Sequence, residues 1–149
     1  MKHLILLRHA QAVSDHAGGD IARPLSSRGV QQIQQVANTF RARKYEPELA
    51  LVSPAVRTQQ TATLLGKQIG KLDVVTDRAL YLATDDQILD VLRGVPDDIQ
   101  SLLIVGHNPG ISDLAAIWDP VYRKQSLPTA GFIACHIPIS SWHDIRQSC

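Results

Sequence analysis

Residues 4–10 read Leu4-Ile5-Leu6-Leu7-Arg8-His9-Ala10. Four consecutive apolar residues run straight into an arginine and a histidine. A short run with no apolar/polar alternation has the pattern of a strand covered on both faces, as in a parallel sheet. Sites in open α/β sheets form at the carboxyl ends of such strands. Arg8 and His9 are therefore singled out by position as well as by chemistry. Arg-His alone is a common dipeptide, so the rest of the chain has to carry the argument.

Working outward, residues 11–25 contain Ser14, Gly18, Gly19 and Pro24 and read as a loop. Ser26-Ser27 are good N-cap residues, and Val30, Ile33, Val36, Ala37 and Phe40 follow at helical spacing, predicting an amphipathic helix to about Arg43. Residues 49–52 predict a second strand. Ser53-Pro54 reads as a cap followed by proline at the first helical position, with the helix running to about Ile69 and stopping near Gly70. Residues 72–75 predict a third strand, and Thr84-Asp85-Asp86 opens a helix that ends at Gly94. Residues 101–105 predict a fourth strand, 111–118 a helix and 132–137 a fifth strand. Trp142 to Arg146 reads as a short sixth strand at an edge. This alternation predicts an α/β fold: one domain over residues 1–149, three layers, a doubly wound and mostly parallel sheet of five to six strands, helices on both faces.

Composition narrows the function. The 149 residues suit a single core, and a net charge of +1 gives no broad electrostatic footprint for nucleic acid or an anionic membrane. Any anion site must be local. Cys135 and Cys149 form neither a zinc-ligand spacing nor a disulfide framework. Cys135 reads as a buried thiol and Cys149 as a mobile last residue. Only four apolar residues follow Met1-Lys2-His3, too few for a signal sequence, so a cytoplasmic protein is expected. No exposed apolar helix stripe calls for a partner subunit, and a monomer is expected.

Three apolar strands lead into basic residues: the first into Arg8-His9, the second into Ser53-Pro54-Ala55-Val56-Arg57, the fourth into Gly106-His107-Asn108-Pro109-Gly110. Parallel strands bring these ends to one edge, and two of the connections open a helix whose free N–H groups favour an anion. Two arginines and two histidines gathered there suit a phosphoryl dianion. The phosphate-loop, dinucleotide and nucleophile-elbow patterns are absent, and no metal-ligand spacing occurs.

With these blocks, and with Arg23-Pro24-Leu25-Ser26 and the Thr58 to Ala62 stretch that follows Arg57, the chain resembles the histidine phosphatase (phosphoglycerate-mutase-like) superfamily, most closely its SixA-type phosphohistidine phosphatases. The matching blocks lie between residue 4 and about residue 115. The resemblance implies that His9 is the nucleophile, that Arg8, Arg57 and His107 bind the phosphoryl oxygens, and that no cofactor or metal is needed. Arg23 and Asn108 become candidates for substrate binding. Arg23 reads about as well as an exposed loop arginine, and Asn108 as a helix cap.

Two departures stand out. Ala10 replaces the family's usual glycine, which makes a positive φ more costly there. The glutamate or aspartate that ester-cleaving members carry as general acid has no clear counterpart in residues 78–86. Asp85 and Asp86 are the nearest carboxylates, and helix-start positions already favour them. An alkoxide leaving group benefits from an acid, whereas a protonated phosphohistidine ring can depart as neutral imidazole. The expected substrate is therefore a phosphohistidine-bearing protein reached through a pocket without a lid insertion. A small-molecule phosphomonoesterase and a non-catalytic module that binds phosphate or phosphohistidine are the alternatives. His3, His16, His136 and His143 match no motif.

Overall fold

A computed structural model describes residues 1–145. Five strands, β1 (Lys2–Arg8), β2 (Leu49–Val52), β3 (Asp73–Thr76), β4 (Ser101–Gly106) and β5 (Phe132–Ile137), form one sheet in the order β3-β2-β4-β1-β5. All neighbours are parallel except β1 and β5. The helices are α1 (Ser27–Arg43), α2 (Val56–Ile69), α3 (Asp85–Arg93) and α4 (Gly110–Ala115). The α/β sheet with helices on both faces is the architecture expected from the sequence.

The layering follows from the strand order. From β1 to β2 to β3 the chain moves one way across the sheet, and then it jumps back to place β4 between β2 and β1. Right-handed crossovers put helices on one face while the chain moves one way and on the other after it reverses. Accordingly Ile33, Val36, Ala37 and Phe40 of α1 and Ala62 and Leu65 of α2 pack with Ile5, Leu7, Ala50 and Leu103. Ile88, Leu89 and Leu92 of α3 and Ile111 and Leu114 of α4 pack with Leu4, Leu6, Leu102 and Ile104. Successive residues of β1 and β4 thus feed opposite cores, which is why these strands are apolar throughout.

Register aligns the ends that matter. Arg8 pairs with Gly106, and Val52 with Val105, so the three chemistry-bearing connections leave the sheet side by side. Gly110 must be small. A Cβ there would lie 1.8 Å from the Ala83 carbonyl oxygen, because the turn after β4 presses against the loop that leads into α3.

Several local expectations are corrected. α2 begins at Val56, and neither Ser53 nor Pro54 occupies its cap; Ala55 does, with no side-chain capping bond. α4 ends at Ala115, three residues early. There is no sixth strand over residues 142–145: Trp142–Asp144 is a 3-10 turn capped by Ser141. Trp142 is fully buried there, and its indole N–H donates to the Ile99 carbonyl, 2.7 Å away. Arg146 and Cys149 lie outside the described residues. Cys135 is buried, and burial pushes its thiol up to about 12. Among the described residues no helix is long and apolar enough to cross a membrane.

Replacing Gly110 by alanine should force backbone apart rather than a flexible side chain. We expect a loss of about 3 kcal/mol, seen as a lower urea midpoint with an unchanged slope. A loss below about 0.5 kcal/mol would contradict the close approach.

Candidate active site

His9 directly follows β1. Its backbone N–H donates to the Gly106 carbonyl at 3.2 Å and its carbonyl accepts from Ala130 N–H at 3.0 Å, so the residue is tied to its neighbours on both sides. Ala10 is fully buried, and its N–H donates to Thr61 Oγ1 at 3.1 Å. Ala10 is not among the residues with positive φ, so the cost anticipated for losing a glycine does not arise.

Arg57, the second residue of α2, is 2% exposed and reaches across the ends of the strands. Its Nε–H donates to His9 Nε2 at 3.4 Å, and its Nη2 donates to His107 Nδ1 at 3.2 Å. A guanidinium only donates, so both ring nitrogens must present lone pairs. The tautomers follow. His9 carries its proton on Nδ1, which donates to the Ala10 carbonyl at 2.7 Å. His107 carries its proton on Nε2, which donates to Ser53 Oγ at 2.7 Å. The Ser53 hydroxyl thus orients His107. The two imidazole centroids lie 5.5 Å apart.

Arg8 points to the same region from β1. Its Nη1 donates to the Leu127 carbonyl at 3.0 Å, and its buried Nε–H has no acceptor among the described residues. Burial, then the charge of Arg57, pulls its pKa down. Asn108 faces inward. Its Nδ2 donates to the same Leu127 carbonyl at 2.9 Å, and its Oδ1 accepts from Ser112 Oγ. It braces the turn after β4 against the strand's return loop. The Asn108–Pro109 peptide bond is cis.

The outer edge of Arg57 is held by Asp20, in a 3-10 turn over Asp20–Ala22. Nη1 donates to the Asp20 carbonyl at 2.9 Å and Nη2 to its carboxylate Oδ2 at 3.1 Å. Arg23 Nε donates to Oδ1 at 3.0 Å, and the Tyr81 hydroxyl donates to Oδ2 at 2.6 Å. Tyr81 stands edge-on to His107 with ring centroids 5.5 Å apart. Neither Asp20 nor Tyr81 was singled out from the sequence. The available signal was an aspartate three residues before Arg23 and an arginine cluster otherwise short of a carboxylate. Asp85 and Asp86 sit in the first turn of α3, beside a capping box made by Thr84 and Gln87. Among the described residues the only hydrogen bond of their carboxylates is local, from Asp86 N–H to Asp85 Oδ1.

Both histidines are held neutral. Burial, and then the Arg57 charge, lowers His107 to about 3. Burial lowers His9 to about 4, with Arg57, Arg8 and Arg23 adding to it against the opposing Ala10 carbonyl. The Tyr81 hydrogen bond, together with Arg23 and Arg57, lowers Asp20 to about 2. At neutral pH the cluster is therefore two neutral imidazoles, three guanidiniums and one carboxylate. It can hold a tetrahedral dianion against a neutral imidazole lone pair.

The family model of the histidine phosphatase superfamily (branch 1) matches residues 4–81. The chain belongs to that superfamily. A solved structure from Agrobacterium tumefaciens, assigned as a SixA phosphohistidine phosphatase, superposes with a TM-score of 0.81 at 27% identity, over 89% of this chain and 90% of that one. An uncharacterised protein of Mycobacterium tuberculosis is 26% identical over 154 residues, 96% of this chain and 94% of that one. The phosphohistidine phosphatase SixA of Escherichia coli is 36% identical over 63 residues, 42% of this chain and 38% of that one.

The depressed histidines make stability depend on pH. A histidine in the unfolded chain titrates near 6.5, above the folded values of about 4 and about 3. Between those limits the unfolded state binds more protons, so stability rises with pH and falls on acidification. We expect a progressive loss below pH 6.5, with His9 contributing roughly 2–3 kcal/mol between pH 7 and 4. Urea unfolding at a series of pH values reads this, and His9→Asn should flatten the slope. An equal slope in the variant would refute the assignment.

Proposed function

We propose that this protein is a phosphatase that hydrolyses a phosphoryl group through a phosphohistidine intermediate on His9, and that its substrate is phosphohistidine on a protein. One observation carries the chemistry: the buried Arg57 guanidinium spans from His9 Nε2 to His107 Nδ1. A phosphoryl group placed against His9 would take over those two donors on its oxygens. It would also give the Arg8 Nε–H the acceptor it lacks.

In the reaction, the neutral His9 Nε2 lone pair attacks phosphorus as the substrate's P–N bond breaks and its electron pair returns to the substrate nitrogen, while the His9 Nδ1–H stays on the Ala10 carbonyl, which fixes the nucleophilic tautomer. Arg8 and Arg57 stabilise charge on the equatorial oxygens. His107, oriented through Ser53, stands on the other side of Arg57. Water then attacks the phosphorus of phospho-His9, the P–N electron pair returns to Nε2, and the water's second proton is released with the phosphate or to solvent. Arg23 reaches the site's outer edge through Asp20, and Asn108 supports the turn that carries His107.

The choice of a phosphohistidine substrate rests on three supports. Asp85 and Asp86 sit in the first turn of α3, where acidic residues are favoured without a catalytic role, and among the described residues neither carboxylate hydrogen-bonds a residue of the cradle. Residues 77–100, between β3 and β4, hold only a 3-10 turn and α3, so this connection carries no long insertion to stand between the site and a protein surface. The relatives named SixA are phosphohistidine phosphatases by name.

The test is paired turnover on a histidine-phosphorylated phosphotransfer domain and on p-nitrophenyl phosphate. We expect rapid clearance of the first and slow hydrolysis of the second. His9→Ala should lower both by at least about a thousand-fold, and an acid-labile phosphoryl label should be trapped on the unmutated protein alone. Hydrolysis of the ester with the phosphoprotein untouched would move the reading to a small-molecule phosphatase. Phosphate binding that survives His9→Ala, with no turnover of either substrate by the unmutated protein, would identify a binding module.

A further inference from the structure

Asp20 is an unexpected residue to find in a cradle for anions. A carboxylate there offsets part of the positive charge that a phosphoryl group needs. If bracing Arg57 were its whole purpose, the backbone carbonyl of the same residue, which already accepts from Arg57 Nη1 at 2.9 Å, or a neutral amide side chain could do much of the work without the repulsion. The side chain is also not sealed in: it is 47% exposed, against 3% for Arg57. It stands where the cluster meets solvent, and beside it Ser14, Asp15, His16, Gly19 and Arg23 complete an open cleft of about 440 Å³. That cleft has room for an imidazole ring and meets the cradle at Asp20, which contacts Arg57.

We infer that Asp20 selects phosphohistidine over phosphate esters: its carboxylate receives the ring N–H of the substrate's protonated imidazole in the cleft beside the cradle. The inference rests on the substrate reading proposed above. Oxygen count allows it. Oδ2 already accepts from Arg57 and Tyr81, whereas among the described residues Oδ1 accepts only from Arg23 Nε, so Oδ1 has a lone pair for one more donor.

The chemistry balances without a proton donor on the protein. The His9 Nε2 lone pair forms the new N–P bond. The electron pair of the substrate's P–N bond returns to the substrate nitrogen, cancelling the ring's positive charge. The proton on the other ring nitrogen stays where it is, donated to Asp20, and the ring leaves as neutral imidazole. Only the protonated ring is a good leaving group, and a fixed carboxylate keeps that form populated to higher pH. A phosphate ester has no such cation and meets only the repulsion. The charged and titratable groups facing Asp20 are Arg23 from its own turn, Arg57 from α2, Tyr81, His107, and Asp15 and His16 across the cleft. The last-named aspartate adds to the acidic side.

The experiment compares kcat/KM from pH 6 to 9 for the phosphohistidine of a phosphotransfer domain, phosphorylated with phosphoramidate, and for p-nitrophenyl phosphate. It uses the unmutated protein, Asp20→Asn and Asp20→Glu. Removing the charge also loosens Arg57, so both substrates should lose a common factor in Asp20→Asn. On top of it, phosphohistidine at pH 8 should lose about a further ten-fold, and the alkaline fall of its profile should move about one pH unit lower, with no such movement for the ester. Asp20→Glu should recover much of both effects. Equal losses on the two substrates with an unmoved phosphohistidine profile would overturn the inference and leave Asp20 a brace for Arg57. Failure of the unmutated protein to clear the phosphorylated phosphotransfer domain would overturn the substrate reading itself, and this inference with it, on a measurement that does not involve Asp20.

Discussion

The buried guanidinium of Arg57 is the constraint on which the rest of the site depends. A charge taken out of water is costly unless its donors are satisfied, and here each nitrogen of the fork is used: Nε on His9, Nη1 on the Asp20 carbonyl, Nη2 on the Asp20 carboxylate and His107. These partners come from three separate connections. Satisfying one side chain therefore fixes the end of β1, the turn after β4 and the loop before α1 relative to one another. Local choices conform to this. α2 starts at Val56, close enough behind β2 to bring Arg57 inward. Thr61 Oγ1 returns a bond to the Arg57 carbonyl at 2.7 Å while accepting from Ala10 N–H.

The same arrangement sets the protonation of the two imidazoles. Burial alone disfavours a charged histidine, and adjacent guanidiniums disfavour it further. Both histidines therefore offer lone pairs at neutral pH, and the positive charge is carried by arginines, which do not give up their protons. This separation of labour matters for phosphoryl transfer. The nucleophile must be neutral while its surroundings stay cationic, and a cluster of histidines alone could not meet both needs at one pH. A chain of net charge +1 can thus hold a strongly positive site, because the charge is local.

The sheet was legible because its central strands must be apolar on both faces, and uniform apolar runs such as residues 102–105 have few other uses. His9, Arg57 and His107 were legible for a related reason: each follows a strand within a few residues, so the sheet itself brings them together. Asp20 and Tyr81 were not. They are 61 residues apart and meet only because two 3-10 turns pack over the mouth, and neither turn has a periodicity to read. Ser53 was misread because a hydroxyl before a proline suits a helix cap and a histidine partner equally well, and chemistry alone does not separate them. Trp142 was placed on an edge strand because bulky apolar residues favour strands. Its indole N–H instead finds the Ile99 carbonyl, and that bond, with burial of the ring, outweighs propensity. Lys2 carries no sign in the sequence that it is fully buried, yet its Nζ donates to the Asp97 and Ile99 carbonyls at 2.6 and 3.0 Å.

Arg57 also resolves an apparent conflict between Asp20 and an incoming phosphoryl group. If the two competed for the same donors, the carboxylate would act as a resident inhibitor, and binding would have to expel it. The fork geometry makes this unnecessary. Nε and one hydrogen of Nη2 face the histidines, where a phosphoryl group would lie, while Nη1 and the other Nη2 hydrogen face Asp20. A planar guanidinium can hold an anion on each of two edges at once. A lysine, with one compact ammonium, would have to choose between them. The residue at position 57 thus needs to be arginine both for its charge and for having two edges.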